Sequence, residues 1–399
     1  MQRVPFGVQS IAATAILVCA SALFLPQLAI AQSPPFGLPL PGLTPKQLAN
    51  FKEGQQQFQV VETAGTGLGP IFNDVSCVAC HSGPAVGGSS AINVTRFGRM
   101  ANGNFKELLS LGGSLLQSQA INPIGLETIP SQANVTAKRQ TQPMYGAGLI
   151  DAIAETTILS GVRTTPVNGV LGRASMVKNP VTGKIRVGRF GWKAQSPDLV
   201  EFAANALVNE MGITNRIYPL ENAPNGNQAL LAQVEPPNLP NPNDQPDPVT
   251  GKTRVDRLTS FMRFLAPPPT LPTTASTVYG AKFFLQVGCA NCHVSSMTTG
   301  PNPIAVLNSQ NVPLYSDLLL HDMGSLGDGI GERQATPTEM RTAPLWGLRG
   351  SGPYLHDGRA LTVDAAIRAH DGEAAPSKNQ YVNLTTDQRS LLLEFLNSI

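Results

Sequence analysis

Two short runs in this sequence have residue types and spacing suited to chemistry: Cys77-Val78-Ala79-Cys80-His81 and Cys289-Ala290-Asn291-Cys292-His293. Cys-x-x-Cys-His is the attachment signal for c-type haem. Two thiols at that spacing reach the two vinyl groups of one porphyrin as thioethers, and the adjacent imidazole meets the iron from one face. A thioredoxin-like redox pair would need a preceding strand and a βαβ pattern, and neither is evident. A zinc site built from all four cysteines would have to join pairs from opposite halves of the chain and would leave both histidines unexplained. Structural disulfides at so tight a spacing are uncommon. The expected cofactors are two covalently bound haems c.

His81 and His293 take the proximal positions, leaving one face of each iron to be decided. The chain holds five histidines, so the other candidates are His321, His356 and His370. His370 ends a short helix expected to start at Thr362, a placement that can aim an imidazole rigidly. His321, beside Met323, and His356 are each followed by an Asp that could accept a ring N–H and fix a tautomer; ordinary turn chemistry explains the same pairs. Arg341, Arg349 and Arg359 crowd this region, and their forked donors suit haem propionates or solvent equally. Two haems let one relay an electron while the other stays open to a substrate such as peroxide, whose reduction to water takes two electrons.

The elements that must hold these groups are mostly helical. Thr44-Pro45 caps and begins a helix through LTPKQLANFKEGQQQFQVV, with Pro suited to the first position. ASTVYGAKFFLQVG forms another, ending near Gly288 just before the second motif. A third runs from Ser196 as N-cap, with Pro197 in its first turn, through LVEFAANALVNEM to Gly212. In the last segment, LTTDQRSLLLEFLNSI, Thr385 and Gln388 form a capping box. Leu392, Phe395, Leu396 and Ile399 line one face of it, which is expected to cross the helix before Cys289.

The stretch EPPNLPNPNDQPDPVTG is too rich in Pro, Asn and Asp for regular structure and reads as a linker or long surface loop. A second break, APPPTLPTT, precedes the second motif. The fold expected is mainly α: two cytochrome c-like domains, each enclosing one c-type haem, with long irregular loops. The N-terminal domain spans 45–230, the Pro/Asn-rich linker 231–251 and the C-terminal domain 252–399.

Residues 1–31 read as a secretory signal peptide: Arg3, an apolar run from about Ile11 to Leu25, and Ala29-Ile30-Ala31 as a small-x-small cleavage site before Gln32. Cleavage removes Cys19 and leaves four cysteines, all in the two motifs. No comparable apolar run follows, so no membrane span is expected in the mature protein. The formal net charge of +2 makes no case for nucleic acid or an anionic membrane as partner.

Taken together, these runs resemble the bacterial di-haem cytochrome c peroxidase superfamily, and within it the branch of di-haem oxidoreductases or thiol oxidoreductases. FNDVSCVACH, GRFGWKA, YSDLLLHDMG, RTAPLWGL and YLHDGRALTVDAAIRAHDGEA carry the likeness, in order, across nearly all of the mature chain. The resemblance implies two cytochrome c-like domains, often with a calcium ion between them. It also implies a periplasmic location, hydrogen peroxide or another small substrate, and electrons relayed from the C-terminal to the N-terminal haem. The donor would be a small periplasmic c-type cytochrome or copper protein.

Residue by residue, His370 stands where the peroxidases carry the distal methionine of the second haem. His/His ligation lowers the potential relative to His/Met, a departure from the usual peroxidase. Glu210, in Asn209-Glu210-Met211, matches the glutamate near the peroxide site and is the candidate for proton transfer; a solvated last-turn residue is the plainer alternative. The position expected to hold Gln falls near Phe202, a second departure. A non-catalytic electron carrier, or an oxidase or oxygenase acting on an organic or protein substrate, are the competing functions.

Overall fold

A computed structural model describes Met1, Gln2 and residues 35–399. The expected signal peptide, Cys19 and the cleavage site lie outside the described residues, residues 1 and 2 aside.

The first core is organised by a helix crossing. Pro45–Phe58 begins with Thr44 Oγ1 accepting from the Gln47 amide while the Gln47 side chain accepts from the Thr44 amide, and Pro45 fills the first turn. It packs against Arg254–Phe264, with Phe261 meeting Phe51 at 5.3 Å and Phe58 at 4.9 Å between ring centroids. Gly54 lets the backbones approach: a Cβ there would sit 2.2 Å from the Arg257 carbonyl oxygen. Leu199–Met211 completes the group, burying Leu199, Ala203, Leu207 and Met211. Its N-cap is Asp198, whose side chain accepts from the Glu201 amide at 3.0 Å. The cap therefore lies two residues beyond the expected Ser196, and Pro197 precedes the helix instead of opening it. Gly212 ends the helix in the left-handed region, as expected.

The second core repeats the device. Ala275–Gln286 crosses Thr386–Ser398, each opened by a capping box, and a Cβ on Gly280 would lie 2.1 Å from the Leu391 carbonyl oxygen. Phe284, Leu392, Phe395, Leu396 and Tyr381 fill this cluster. The terminal helix thus crosses the helix before Cys289, as its apolar spacing implies.

Between these helix groups the chain is less helical than the sequence suggested. Asn93–Ala101 pairs antiparallel with Asn104–Lys106, Ser114–Leu116 and Val135–Gln140, and further two-strand ladders follow. One of these joins Leu320–Asp322 to Glu339–Arg341, with His321 opposite Met340. The architecture is mixed, helices with short strands.

The Pro- and Asn-rich stretch 235–251 is irregular, but the first four residues of the expected linker belong to the helix Gln228–Val234, and Asp244 is only 2% exposed. Asp244 accepts from the amides of Arg254 and Val255 at 2.6 and 3.2 Å, anchoring the start of the next helix. By packing, that helix, Arg254–Phe264, joins the first core, although it follows the linker; the second core begins with Ala275–Gln286.

Candidate functional site

The first motif forms one helical turn, Cys77–Cys80, capped by Ser76, whose hydroxyl accepts from the Ala79 amide. His81 follows it. Its Nδ1 donates to the Gly88 carbonyl at 3.1 Å, the Phe58 ring stands edge-on at 5.8 Å, and the Gln142 carbonyl also lies against the imidazole. Burial pushes His81 down to about 4, so the ring is neutral, as an iron ligand requires. Burial likewise pushes Cys77 and Cys80 up to about 12. Both are protonated thiols, unlike the thiolates of a preformed zinc site.

Glu210 lies beside this motif. The loop before Cys77 is bound to the end of the Leu199–Met211 helix, the Asn73 amide donating to the Glu210 carbonyl at 2.7 Å. The Asn73 side chain donates to Glu210 Oε2 at 2.8 Å. The carboxylate is close enough to Cys80 to help raise its thiol. Burial raises the Glu210 carboxyl, opposed by Arg96 and Asn73. Glu210 is half-buried, and its carboxylate has one side-chain partner, Asn73. Phe202, two turns earlier, packs at 5.7 Å against Phe190, so an apolar ring does occupy the region where a Gln was expected.

In the second motif, Cys289–Asn291 forms a tight turn and His293 Nδ1 donates to the Tyr315 carbonyl at 3.0 Å. Burial, with His370 adding to it, pushes His293 down to about 4. His370 follows the helix Val363–Arg368, capped by Thr362 as expected. Its Nδ1 donates to the Ala366 carbonyl at 2.8 Å, and burial lowers its pKa too. Each ring therefore spends Nδ1 on the backbone and keeps Nε2 for another partner. Cys289, Cys292, His293 and His370 line one largely apolar cavity that runs on past Trp192 to Phe190 and Phe202.

The other histidines have different surroundings. His321, 2% exposed, has both ring nitrogens on carboxylates: Nε2 on Asp317 at 2.9 Å and Nδ1 on Glu373 at 2.8 Å. It has no nitrogen left for iron. His356 is buried beside the Trp192 ring and lines the same cavity. Of the three arginines, Arg359 pairs with Asp357 at 2.6 Å. Arg341 is buried and donates to the carbonyls of Gly191 and Thr342. Arg349 keeps Nε and Nη1 buried without a partner.

The family model described as "Di-haem oxidoreductase, putative peroxidase" matches residues 129–399, well over half of the chain. The chain belongs to that family. No curated protein matches it. Among solved structures it is similar to Kuenenia stuttgartiensis hydrazine synthase at 16% identity and TM-score 0.40, with 100% of both chains covered. It is similar to a MauG-like protein associated with microbial copper homeostasis at 15% identity and TM-score 0.39, with 95% of each chain covered. A variant of the diheme peroxidase BthA from Burkholderia thailandensis gives 11% and 0.39, covering 88% of this chain and 85% of that one.

The residues present fit the haems this family name implies. Each motif offers two thiols and a neutral imidazole; the apolar cavity is lined by the second motif and not by Cys77, Cys80 or His81. Arg189, unassigned in the sequence and 1% exposed, lines that cavity; its Nε and Nη2 make no hydrogen bond, although Nη2 lies 3.9 Å from Glu155 Oε1, and both are donors suited to a carboxylate. Its signal was an arginine inside the apolar run GRFGWKA.

Calcium fits less well. Among the described residues no group of three or more His, Cys, Asp or Glu could hold a metal ion. The oxygen-rich spot linking the two halves is filled by Lys193, whose ammonium lies 2.9 Å from Asp328 Oδ1. The same ammonium donates to the carbonyls of Thr336, Pro337 and Glu339 at 3.2, 3.3 and 2.5 Å. Among the described residues, no helix is long and apolar enough to cross a membrane.

A second, polar cavity is lined by Arg96, Glu107, Glu127, Asn209, Glu221 and Glu332 among others. Glu221 Oε2 is buried there without a partner, while Oε1 accepts from Asn243 at 3.2 Å. Burial, then Glu235, pushes this carboxyl up to about 8.

Proposed function

We propose that this chain is an exported, periplasmic di-haem c-type oxidoreductase that reduces hydrogen peroxide, with electrons relayed from the C-terminal to the N-terminal haem. The observation that carries the reading is that each Cys-x-x-Cys-His presents a neutral histidine anchored to the backbone, with Glu210 held by Asn73 against the first motif. When bound, the haems supply the one-electron carriers from which a two-electron reduction can be assembled. Cys77, Cys80 and His81 would hold one, and Cys289, Cys292, His293 and His370 the other. Glu210, its carboxyl raised by burial, is suited to hold and release a proton, and Asn73 fixes its orientation. A small c-type cytochrome or copper protein is the proposed donor.

The test is a stepwise reductive titration followed by visible and EPR spectra, with peroxide added at the half-reduced stage. One reduced haem beside a high-spin partner that reacts at once supports the reading. Two low-spin irons that ignore peroxide would assign the chain to electron transfer alone. Phe202 and His370 favour one second reading, oxidation of an organic or protein substrate. An apolar ring where a Gln is expected suits an apolar substrate, and bis-histidine ligation lowers the potential of the feeding haem. Peroxide turnover with a reduced small cytochrome separates the two.

A further inference from the structure

His321 is unused by the proposed function, yet it has the most closely specified surroundings of any histidine here. Its ring is clamped between Asp317 Oδ2 and Glu373 Oε2 and stands 3.8 Å from Cys292 Sγ. Asp317 is 4% exposed. Glu373 reaches further: Oε2 also accepts from the amides of Leu171 and Gly172, at 2.9 and 3.3 Å, and Oε1 from Asp322 at 3.2 Å. Gly172 lies against the imidazole, where a Cβ would come within 3.0 Å of His321 Cε1.

Three segments therefore meet on one ring: the attachment turn through Cys292, the segment just after His370 through Glu373, and residues 171–172 from the first half. Two carboxylates and one imidazolium leave a net charge of −1 in a buried place. Enclosed ion clusters of this kind contribute little to stability, because desolvation offsets their attraction. That leaves position and local potential as what the cluster supplies. Desolvation works against the charged ring, but with a carboxylate on each nitrogen both nitrogens donate, which holds the ring protonated.

We propose that His321 is a positioning residue of the C-terminal haem site, a fixed cation that sets the electrostatic potential at the Cys292 edge and ties that edge to the His370 segment. The inference rests on the reading of Cys289–His293 as a haem site. Removing the cation leaves the carboxylates uncompensated and favours ferric iron; removing Glu373's charge does the reverse.

The experiment compares His321→Gln and Glu373→Gln in the full-length exported protein. Covalent haem is counted per chain, and the midpoint potential of each haem is then read by spectroelectrochemical titration. The expected result is two haems per chain, with the low-spin bis-histidine couple moved down by H321Q and up by E373Q, and the other couple unmoved. Shifts of the same sign, or none, overturn the proposal, since loosened packing alone would move both variants alike. Should H321Q fail to fold, an E373Q couple that does not rise overturns it as well. A wild-type chain without haem at Cys289–Cys292 overturns the haem reading and this inference with it. Two haems with unmoved potentials overturn only the role of His321.

Discussion

The Nδ1 of His370 is hydrogen-bonded to the carbonyl oxygen of Ala366, four residues back, at 2.8 Å. The bond turns the imidazole's other nitrogen away from its own helix, and it assigns the ring a tautomer suited to binding iron. His370→Ala should convert one low-spin centre into a high-spin or weakly ligated one, visible in EPR and in the optical spectrum. Because His321 spends both nitrogens on carboxylates, an unchanged spectrum would point to Met323.

Glu210→Gln keeps the size of the side chain and the contact with Asn73 but cannot carry the proton. Peroxide turnover should fall by about 10²–10⁴-fold with haem content and spectra unchanged. Equal rates in a steady-state assay would remove Glu210 from the reaction.

Gly280→Ala tests the second helix crossing. Alanine favours an isolated helix over glycine by about 1 kcal/mol, yet its Cβ would meet the Leu391 carbonyl at 2.1 Å. A net loss of about 1–3 kcal/mol is expected from the overpacking. The shift of the urea midpoint at constant slope measures it.

Glu221 gives stability a pH dependence. Its carboxyl is raised in the fold to about 8, from about 4.3 when unfolded. The fold therefore favours the protonated form: the contribution is fully present below the unfolded value and is lost as pH rises through the folded one. Glu221→Gln cannot ionise. Its Tm relative to wild type should climb from about pH 5 to about pH 8 and then level off; a constant difference across that range would contradict the assignment.

How legible all this was depended on how local each feature is. The attachment turns, the capping boxes at Thr44 and Thr385, and the crossing of the last helix all follow from residues within a turn or two of one another. The cap of the Leu199–Met211 helix was misplaced by two residues because Ser196 and Asp198 are both good caps and Pro197 fits the first turn; the Asp198 contact with the Glu201 amide decides it. The sheet around Asn93–Ala101 escaped because its apolar alternation is weak, with Phe97 and Gly98 alone fully buried, and its longest partner starts at Val135. His321 could not be excluded as a ligand from sequence, since Glu373 is distant along the chain.

The cysteine thiols carry a consequence for biogenesis. In the closed fold Cys77 and Cys289 are half-buried and desolvation holds them protonated, up to about 12, which makes them poor nucleophiles. On the proposed haem reading, thioether formation would therefore belong to the open chain, ahead of folding. Each Cys-x-x-Cys-His would react as an extended peptide, and the fold would close around a prosthetic group already in place.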